Sequence, residues 1–143
     1  ILILVGTESG NAELVAETLA EELGPAGHEV EVMAEGHALP EAEKVVLICS
    51  STHGDGELPD NIIPLQQELS EKRPDLAHLR YGVIALGDQT FADTFCGAGR
   101  QLDALFAGLG ATKVGERLEI DACTQPLPDD EALTWAQEWV TLL

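Results

Sequence analysis

The chain has 143 residues, 45% of them hydrophobic, with 26 acidic side chains against 7 basic ones and a formal net charge of −19. This length suits one domain, and the hydrophobic fraction is sufficient for a buried core, which excludes a disordered acidic chain. Because so negative a surface repels phosphate backbones and anionic lipids, binding to nucleic acid or to a membrane surface is also excluded.

Predicted strands and helices alternate along the whole chain. In chain order they are a strand at Ile1–Val5, a helix at Asn11–Leu23, strands at Glu29–Met33 and Val45–Cys49, a helix at Asp60–Arg73, a strand at Gly82–Leu86, a helix marked by Leu102–Leu109, a weaker strand at Val114–Ile120 and a last helix that begins near Asp129. Continuous apolar strands are typical of a sheet that is buried on both faces. The order βαββαβαβα therefore predicts an α/β fold with a parallel sheet between two layers of helices.

Ligand-binding residues are expected in the loops after the strands, because ligands of open parallel sheets bind beyond the carboxyl ends of the strands. After the first strand, Thr7-Glu8-Ser9-Gly10-Asn11-Ala12 combines two hydroxyls, a glycine and a helix start without any Lys or Arg. This segment fits a phosphate cradle made of backbone N–H groups, and it fits equally a helix that is capped by Ser9 or Thr7. It is neither a Walker loop nor a GxGxxG motif.

Two further loops carry residues suited to a flat ligand. The loop at residues 50–59 reads SSTHGDGELP, in which two glycines around an aspartate allow a peptide to change orientation with little strain. An ordinary glycine-rich turn has the same composition. The loop at residues 87–97 reads GDQTFADTFCG and includes two of the chain's few aromatic side chains. These aromatics either form a wall for a flat ring or anchor the loop to the core.

Taken together, the segments TESGNA, STHGDGELPDN and GDQTFADTFCGAG resemble those of short-chain flavodoxins, most closely the MioC type. They are also similar to the FMN domains of sulfite reductase and cytochrome P450 reductase. The resemblance covers essentially the whole chain. It implies a flavodoxin-like doubly wound five-stranded parallel sheet of order 2-1-3-4-5 with helices on both faces, and a single FMN-binding domain over residues 1–143. Because the chain begins at Ile1 without a methionine, we expect a few residues to precede it.

The resemblance also implies which residues bind FMN. Residues 7–12 match the phosphate loop, with Ala12 where the family often has a threonine, so one hydroxyl contact is absent. Residues 51–54 match the loop over one flavin face, with His53 where the reductase relatives often have an aromatic. Phe91 matches the tyrosine that stacks on the other face. The predicted cofactor-binding residues are Thr7, Glu8, Ser9, Gly10, Asn11, Ala12, Ser51, Thr52, His53, Gly54, Leu86, Gly87, Asp88, Phe91, Phe95 and Cys96. No catalytic residue and no metal ligand is predicted.

The function implied by the resemblance is that of a low-potential one-electron carrier between a reductase and an acceptor enzyme, without a substrate of its own. Two alternatives stay open: a two-electron FMN quinone reductase, and a flavin-free binding module on the same fold. A receiver domain is excluded, because the third strand ends in Ser50-Ser51-Thr52 and not in a phospho-accepting aspartate.

The cysteines, the apolar runs and the acidic charge of the sequence give expectations for the cellular compartment and the binding partners. The cysteines Cys49, Cys96 and Cys123 are odd in number and scattered, which predicts neither a disulfide framework nor a zinc site and favours the reducing cytoplasm. No apolar run approaches the roughly 20 residues that span a bilayer, so we expect no membrane segment. The acidic surface either attracts basic-faced redox proteins, with a flavodoxin reductase as donor and an acceptor enzyme, or serves only solubility. We expect a monomer.

Overall fold

The computed structural model describes residues 1–7, 10–52, 56–87, 96–121, 124–125 and 127–143. Strands and helices alternate through these residues. The strands are β1 Leu2–Gly6, β2 Glu31–Met33, β3 Lys44–Ser50, β4 Leu79–Gly87, β5 Thr112–Lys113 and β6 Leu118–Asp121. The helices are α1 Asn11–Leu23, α2 Ile63–Lys72, α3 Gly97–Gly108 and α4 Pro128–Trp139, and a 3₁₀ turn follows at Val140–Leu142.

The sheet is parallel, and its strands lie in the order β2-β1-β3-β4, with both β5 and β6 paired to β4. The predicted order 2-1-3-4-5 is confirmed, but two short strands fill the fifth position. The single strand expected at Val114–Ile120 is interrupted at residues 114–117. Gly115 has a φ of 68° there, a left-handed conformation that an extended strand cannot include.

Two hydrophobic clusters lie on opposite faces of the sheet. In β1, Leu2 and Leu4 contribute to the cluster beneath α2 and α3, whereas Ile3 and Val5 contribute to the cluster beneath α1 and α4. None of these four side chains is more than 3% exposed. The continuous apolar run of this strand is thus explained by burial on both faces.

Helix α3 begins at Gly97, several residues before the leucine pattern that starts at Leu102. A Cβ on Gly99 would lie 2.3 Å from the Cβ of Ala85, and a Cβ on Gly97 would lie 2.9 Å from the Cα of Gly56. The first turn of α3 is therefore rich in glycine because it lies directly against β4 and the loop after β3. This close approach brings the amino end of α3 to the carboxyl edge of the sheet.

The other boundaries differ from prediction by a few residues. Helix α2 begins at Ile63 instead of Asp60, and Pro64 lies in its first turn, where the missing N–H removes no helical hydrogen bond. Strand β2 is shorter than the predicted Glu29–Met33, and β4 begins three residues before Gly82. Within the described ranges, no helix has the length and apolar character needed to cross a bilayer.

Candidate functional site

The loop from β1 to α1 presents backbone N–H groups at a helix amino end. The Gly10 N–H donates to Thr7 Oγ1 at 2.9 Å, and Gly10 has a φ of 88°. The first helical hydrogen bond runs from the Leu14 N–H to the Gly10 carbonyl at 2.9 Å, so the N–H groups of residues 11–13 have no partner within the helix. No described side chain caps this end. N–H groups without a helical partner at a helix start are suited to bind an anion.

The side chain of Asn61, just before α2, is hydrogen-bonded to the first residue of this loop. Its Oδ1 accepts the Thr7 N–H at 2.8 Å, and its Nδ2 donates to the carbonyls of Val5 and Ala34, both at 2.9 Å. The Nε2 of His37 also lies 2.9 Å from the Val5 carbonyl. One amide side chain thereby joins the carboxyl end of β1, the segment after β2 and the start of α2.

The end of β3 lies beside the same loop. The Ser51 N–H donates to the Gly6 carbonyl at 2.8 Å, and the Ser51 hydroxyl approaches the same oxygen at 3.2 Å. A Cβ on Gly6 would lie 2.5 Å from the hydroxyl oxygen of Ser50. Glycine at position 6 therefore allows the first two loops to come into contact.

Thr52 joins the second loop to the third. Its hydroxyl donates to the Leu86 carbonyl at 2.9 Å and lies 3.4 Å from the Ala98 N–H of α3. Leu86 itself is 7% exposed and belongs to the core, so only its backbone can take part in a site. Gly56 has a φ of 98°, as expected for this glycine-rich turn, and its carbonyl accepts the Gln101 side chain at 2.7 Å.

Cys96 closes the third loop at the start of α3. A Cβ on Gly87 would lie 2.5 Å from the Cys96 nitrogen, so the end of β4 touches this residue directly. The Cys96 thiol is fully buried and donates to the Ala85 carbonyl at 3.4 Å. Burial raises the pKa of the thiol to about 12, and the charge of Glu119 adds to this effect. Cys96 is therefore neutral at physiological pH, and its thiol belongs to the core.

The described residues of the predicted site converge on one edge of the sheet. These are Thr7, Gly10, Asn11, Ala12, Ser51, Thr52, Leu86, Gly87 and Cys96. Ala12 is fully buried, so its side chain belongs to the core and does not face a ligand. The other predicted site residues lie outside the described residues: Glu8, Ser9, His53, Gly54, Asp88, Phe91 and Phe95.

Sequence reasoning missed Asn61 and the glycines at which the loops touch. Asn61 is the last residue of the segment STHGDGELPDN, but its partners Thr7, Val5 and Ala34 are distant in sequence. The close approaches at Gly6 and Gly97 also depend on tertiary packing. For these two glycines, the local sequence shows a small residue at the end of β1 or at the start of α3 and nothing more.

A charged cluster lies on α3 and the split edge strand, apart from these loops. Asp103 is 5% exposed, and its carboxylate accepts hydrogen bonds from Tyr81 Oη at 2.7 Å, Lys113 Nζ at 2.8 Å and Arg117. Burial alone would raise the pKa of Asp103, but the hydrogen bonds from Lys113, Tyr81 and Arg117 outweigh it and leave the pKa lowered. Burial and the same hydrogen bond raise the pKa of Tyr81. Asp103 is thus an ionised anchor for α3.

The fold and its loops define a class of protein, the flavodoxin-like proteins with a ligand site at the carboxyl edge of a doubly wound sheet. The flavodoxin family profile matches residues 3–135. The chain is 44% identical to Flavodoxin YqcA of Escherichia coli (strain K12), over 99% of this chain and 96% of that protein. It is 41% identical to Protein MioC of the same organism, over 100% of this chain and 97% of that protein. The chain belongs to the flavodoxin family, whose members are electron carriers.

Two further relatives agree with this assignment. A cysteine-to-serine mutant of a flavodoxin from Pseudomonas aeruginosa superposes with a TM-score of 0.85 at 37% identity, covering 99% of this chain and 97% of that chain. The sulfite reductase [NADPH] flavoprotein alpha-component of Vibrio parahaemolyticus is 41% identical over 97% of this chain, which corresponds to 22% of that protein. The predicted resemblance and the predicted fold are confirmed.

The described residues of the first loop fit the phosphate end of a flavin nucleotide. Residues 1–43 contain no Lys or Arg, so neither type of basic side chain is available to a bound anion from this part of the chain. Instead, the loop provides the Thr7 hydroxyl and the backbone N–H groups at the amino end of α1. Among the described residues, none beyond its chain neighbours would lie within 4 Å of a Cβ on Gly10, so none of them fills the space in front of this residue. Open space beside N–H groups that have no partner within their helix is what a single phosphate group requires.

Proposed function

We propose that the protein carries electrons one at a time on a single FMN, which the 143-residue chain binds as one domain. The observation that carries this proposal is the cation-free loop at Thr7–Ala12, which ends on the amino terminus of α1. The sequence of this loop has no basic side chain and leads into a helix amino end, which suits a single phosphate, and FMN carries one phosphate where FAD and nicotinamide dinucleotides carry a diphosphate. FMN supplies reversible one-electron chemistry when it is bound.

The residues of the chain have separable tasks in this proposal. The N–H groups at the start of α1 bind the phosphate, as the helix dipole favours an anion there. Ser51 and Thr52 position the second loop against the first and third through their hydrogen bonds to Gly6 and Leu86. We propose that His53 and Gly54 line one flavin face and that Phe91 stacks on the other. Glu8, Ser9, Asn11, Gly87, Asp88, Phe95 and Cys96 complete the proposed site.

Partner recognition is proposed to depend on charge. Helices α1 and α4 pack side by side on one face of the sheet, and every charged residue in both is acidic. A basic donor, such as a flavodoxin reductase, and a basic acceptor enzyme would dock against acidic surface near the site, and we propose the cytoplasm as the compartment. Because exposed charges are screened over about 8–10 Å at moderate salt, association should slow as salt rises. A transfer rate that is constant or increases with salt would contradict charge-guided docking.

The test of the proposed function is reconstitution of the purified protein with FMN, FAD and riboflavin, followed by a reductive titration monitored by absorbance. We expect tight binding of FMN and reduction in two separate one-electron steps. Reduction in a single two-electron step would favour a quinone reductase, and the absence of flavin binding would favour a flavin-free binding module. Gly10→Asp places a side chain and a charge at the phosphate loop and should abolish FMN binding, so unchanged affinity in this variant would reject the loop assignment.

A further inference from the structure

We propose that Asn61 is the positioning residue of the phosphate loop and that it sets the preference of the site for a phosphorylated flavin over riboflavin. The inference rests on the proposed FMN function. It assigns to a residue outside the predicted site the task of holding the loop in the shape that a phosphate needs.

One hydrogen bond of the Asn61 side chain reaches Thr7, the first residue of the loop. The Thr7 N–H points back to Asn61 Oδ1 at 2.8 Å, while the Thr7 hydroxyl points forward and accepts the Gly10 N–H at 2.9 Å. Thr7 is therefore fixed at both ends, by Asn61 through its backbone and by Gly10 through its side chain. A change in the orientation of the Thr7 peptide would move the hydroxyl that closes the loop.

The other half of the Asn61 side chain fixes the framework around the loop. Nδ2 donates to the carbonyl of Val5, in the last part of β1, and to the carbonyl of Ala34, after β2. The chain around Asn61 is itself held, because the Ile62 N–H bonds to the Pro59 carbonyl at 3.1 Å and the Ile62 side chain is fully buried. Asn61 thus links the loop to a residue that precedes a fully buried core side chain.

Only a primary amide supplies this combination of bonds at this length. One acceptor and two donors are used at once, and Asn carries the acceptor oxygen and the two N–H donors on the same amide group. An aspartate could accept from Thr7 but could not donate to the two carbonyls, and its charge would repel a phosphate. A serine or alanine would leave partners of the part-buried cluster without hydrogen bonds.

The experiment measures the dissociation constants of FMN and riboflavin side by side, by fluorescence quenching, for the wild type and Asn61→Ala. This substitution removes all three bonds without adding a charge. Because riboflavin lacks the phosphate, a displaced phosphate loop should weaken FMN binding about tenfold, as expected for lost hydrogen bonds at a charged ligand, and leave riboflavin within about twofold. The ratio of the riboflavin dissociation constant to the FMN dissociation constant should therefore fall.

Asp103→Asn is the matched control. It breaks a buried hydrogen-bond cluster on α3 and should lower the stability of the apoprotein, but it touches no residue of the phosphate loop. We expect this control to keep the wild-type ratio of FMN to riboflavin affinity. If Asn61→Ala does not fold, as judged by urea unfolding of the apoprotein, Asn61→Ser is measured in its place with the same expectation.

The outcomes separate the inference from the proposed function. If FMN and riboflavin affinity fall together in the Asn61 variants, or if both stay unchanged, Asn61 supports the fold alone and the inference is wrong. If the wild type binds FMN and riboflavin equally well, the phosphate-loop assignment is wrong. If the wild type binds neither flavin, the proposed function fails and the inference fails with it.

Discussion

Replacement of Gly10 by alanine tests the left-handed turn on which the phosphate loop depends. Gly10 has a φ of 88° and a ψ of −3°, and an added Cβ would meet no described residue beyond its chain neighbours within 4 Å. The cost is therefore conformational, not steric, and left-handed backbone costs an L-residue roughly 1–2 kcal/mol. The reduced freedom of the unfolded chain offsets roughly 0.4–1 kcal/mol of this. We expect Gly10→Ala to lower the free energy of unfolding by about 1 kcal/mol.

Gly108→Ala is the same chemical change in a different backbone. Gly108 lies in the last turn of α3, outside the left-handed region, and its Cβ would also meet nothing within 4 Å. Alanine should stabilise this position by roughly 0.5–1 kcal/mol, through helix propensity and the stiffer unfolded chain. Urea unfolding of both apoproteins should show a lower free energy of unfolding for Gly10→Ala and a higher one for Gly108→Ala. FMN titration should show weaker binding only for Gly10→Ala. A Gly10→Ala protein as stable as the wild type would refute the reasoning.

Three further predictions concern other parts of the molecule. Asp103→Asn should lower the free energy of unfolding by roughly 2 kcal/mol near pH 7, since hydrogen bonds to a charged group are lost. Because the folded pKa of Asp103 is lowered, its contribution is present above the unfolded pKa of about 3.9 and is lost as pH falls through the folded pKa, so urea unfolding should show the two proteins converging in acid. Gly82→Ala should cost roughly 1–3 kcal/mol in urea unfolding, because its Cβ would lie 2.7 Å from the indole of the buried Trp139. Phe91→Ala, at a position outside the described residues, should weaken FMN binding by roughly 1–3 kcal/mol in a fluorescence titration.

Each of these predictions has a result that contradicts it. A gap between wild type and Asp103→Asn that stays constant down to strong acid would mean that the carboxylate is not the ionised anchor. A fully stable Gly82→Ala would mean that the Trp139 ring moves aside without loss. Unchanged affinity and flavin spectrum in Phe91→Ala would identify Phe91 as a core anchor.

Local patterns were sufficient to predict the sheet but not its contacts with the helices. The strand at Ile1–Val5 was recognisable because burial on both faces makes every residue apolar. Helix α3 was predicted too short, because Gly97 and Gly99 are poor helix formers that are present for close packing against Gly56 and Ala85. Propensity alone does not place a helix start on such residues.

Site residues could be predicted where they lie in loops that follow strands. They could not be predicted where a residue bonds to a partner that is distant in the sequence. Thr7, Gly10 and Thr52 lie in the loops that follow β1 and β3, so topology was sufficient to place them on one edge. Asn61 lies 54 residues from Thr7, and Asp103 lies 22 residues from Tyr81, so neither partnership leaves a local pattern. The left-handed turn at Gly115 divides the fifth strand two residues before Arg117, whose side chain bonds to Asp103 of α3.

The short strands at both margins of the sheet have a consequence for crowded solutions. In the described part of the chain, β2 pairs only with β1 over three residues, and the opposite margin is divided into β5 and β6. An uninterrupted margin would offer a ladder of backbone groups to a neighbouring molecule, which is the usual route to ordered aggregation. Here a second copy would find only brief stretches of extended chain on either side. We therefore expect the carrier to tolerate high concentrations without strand-to-strand association.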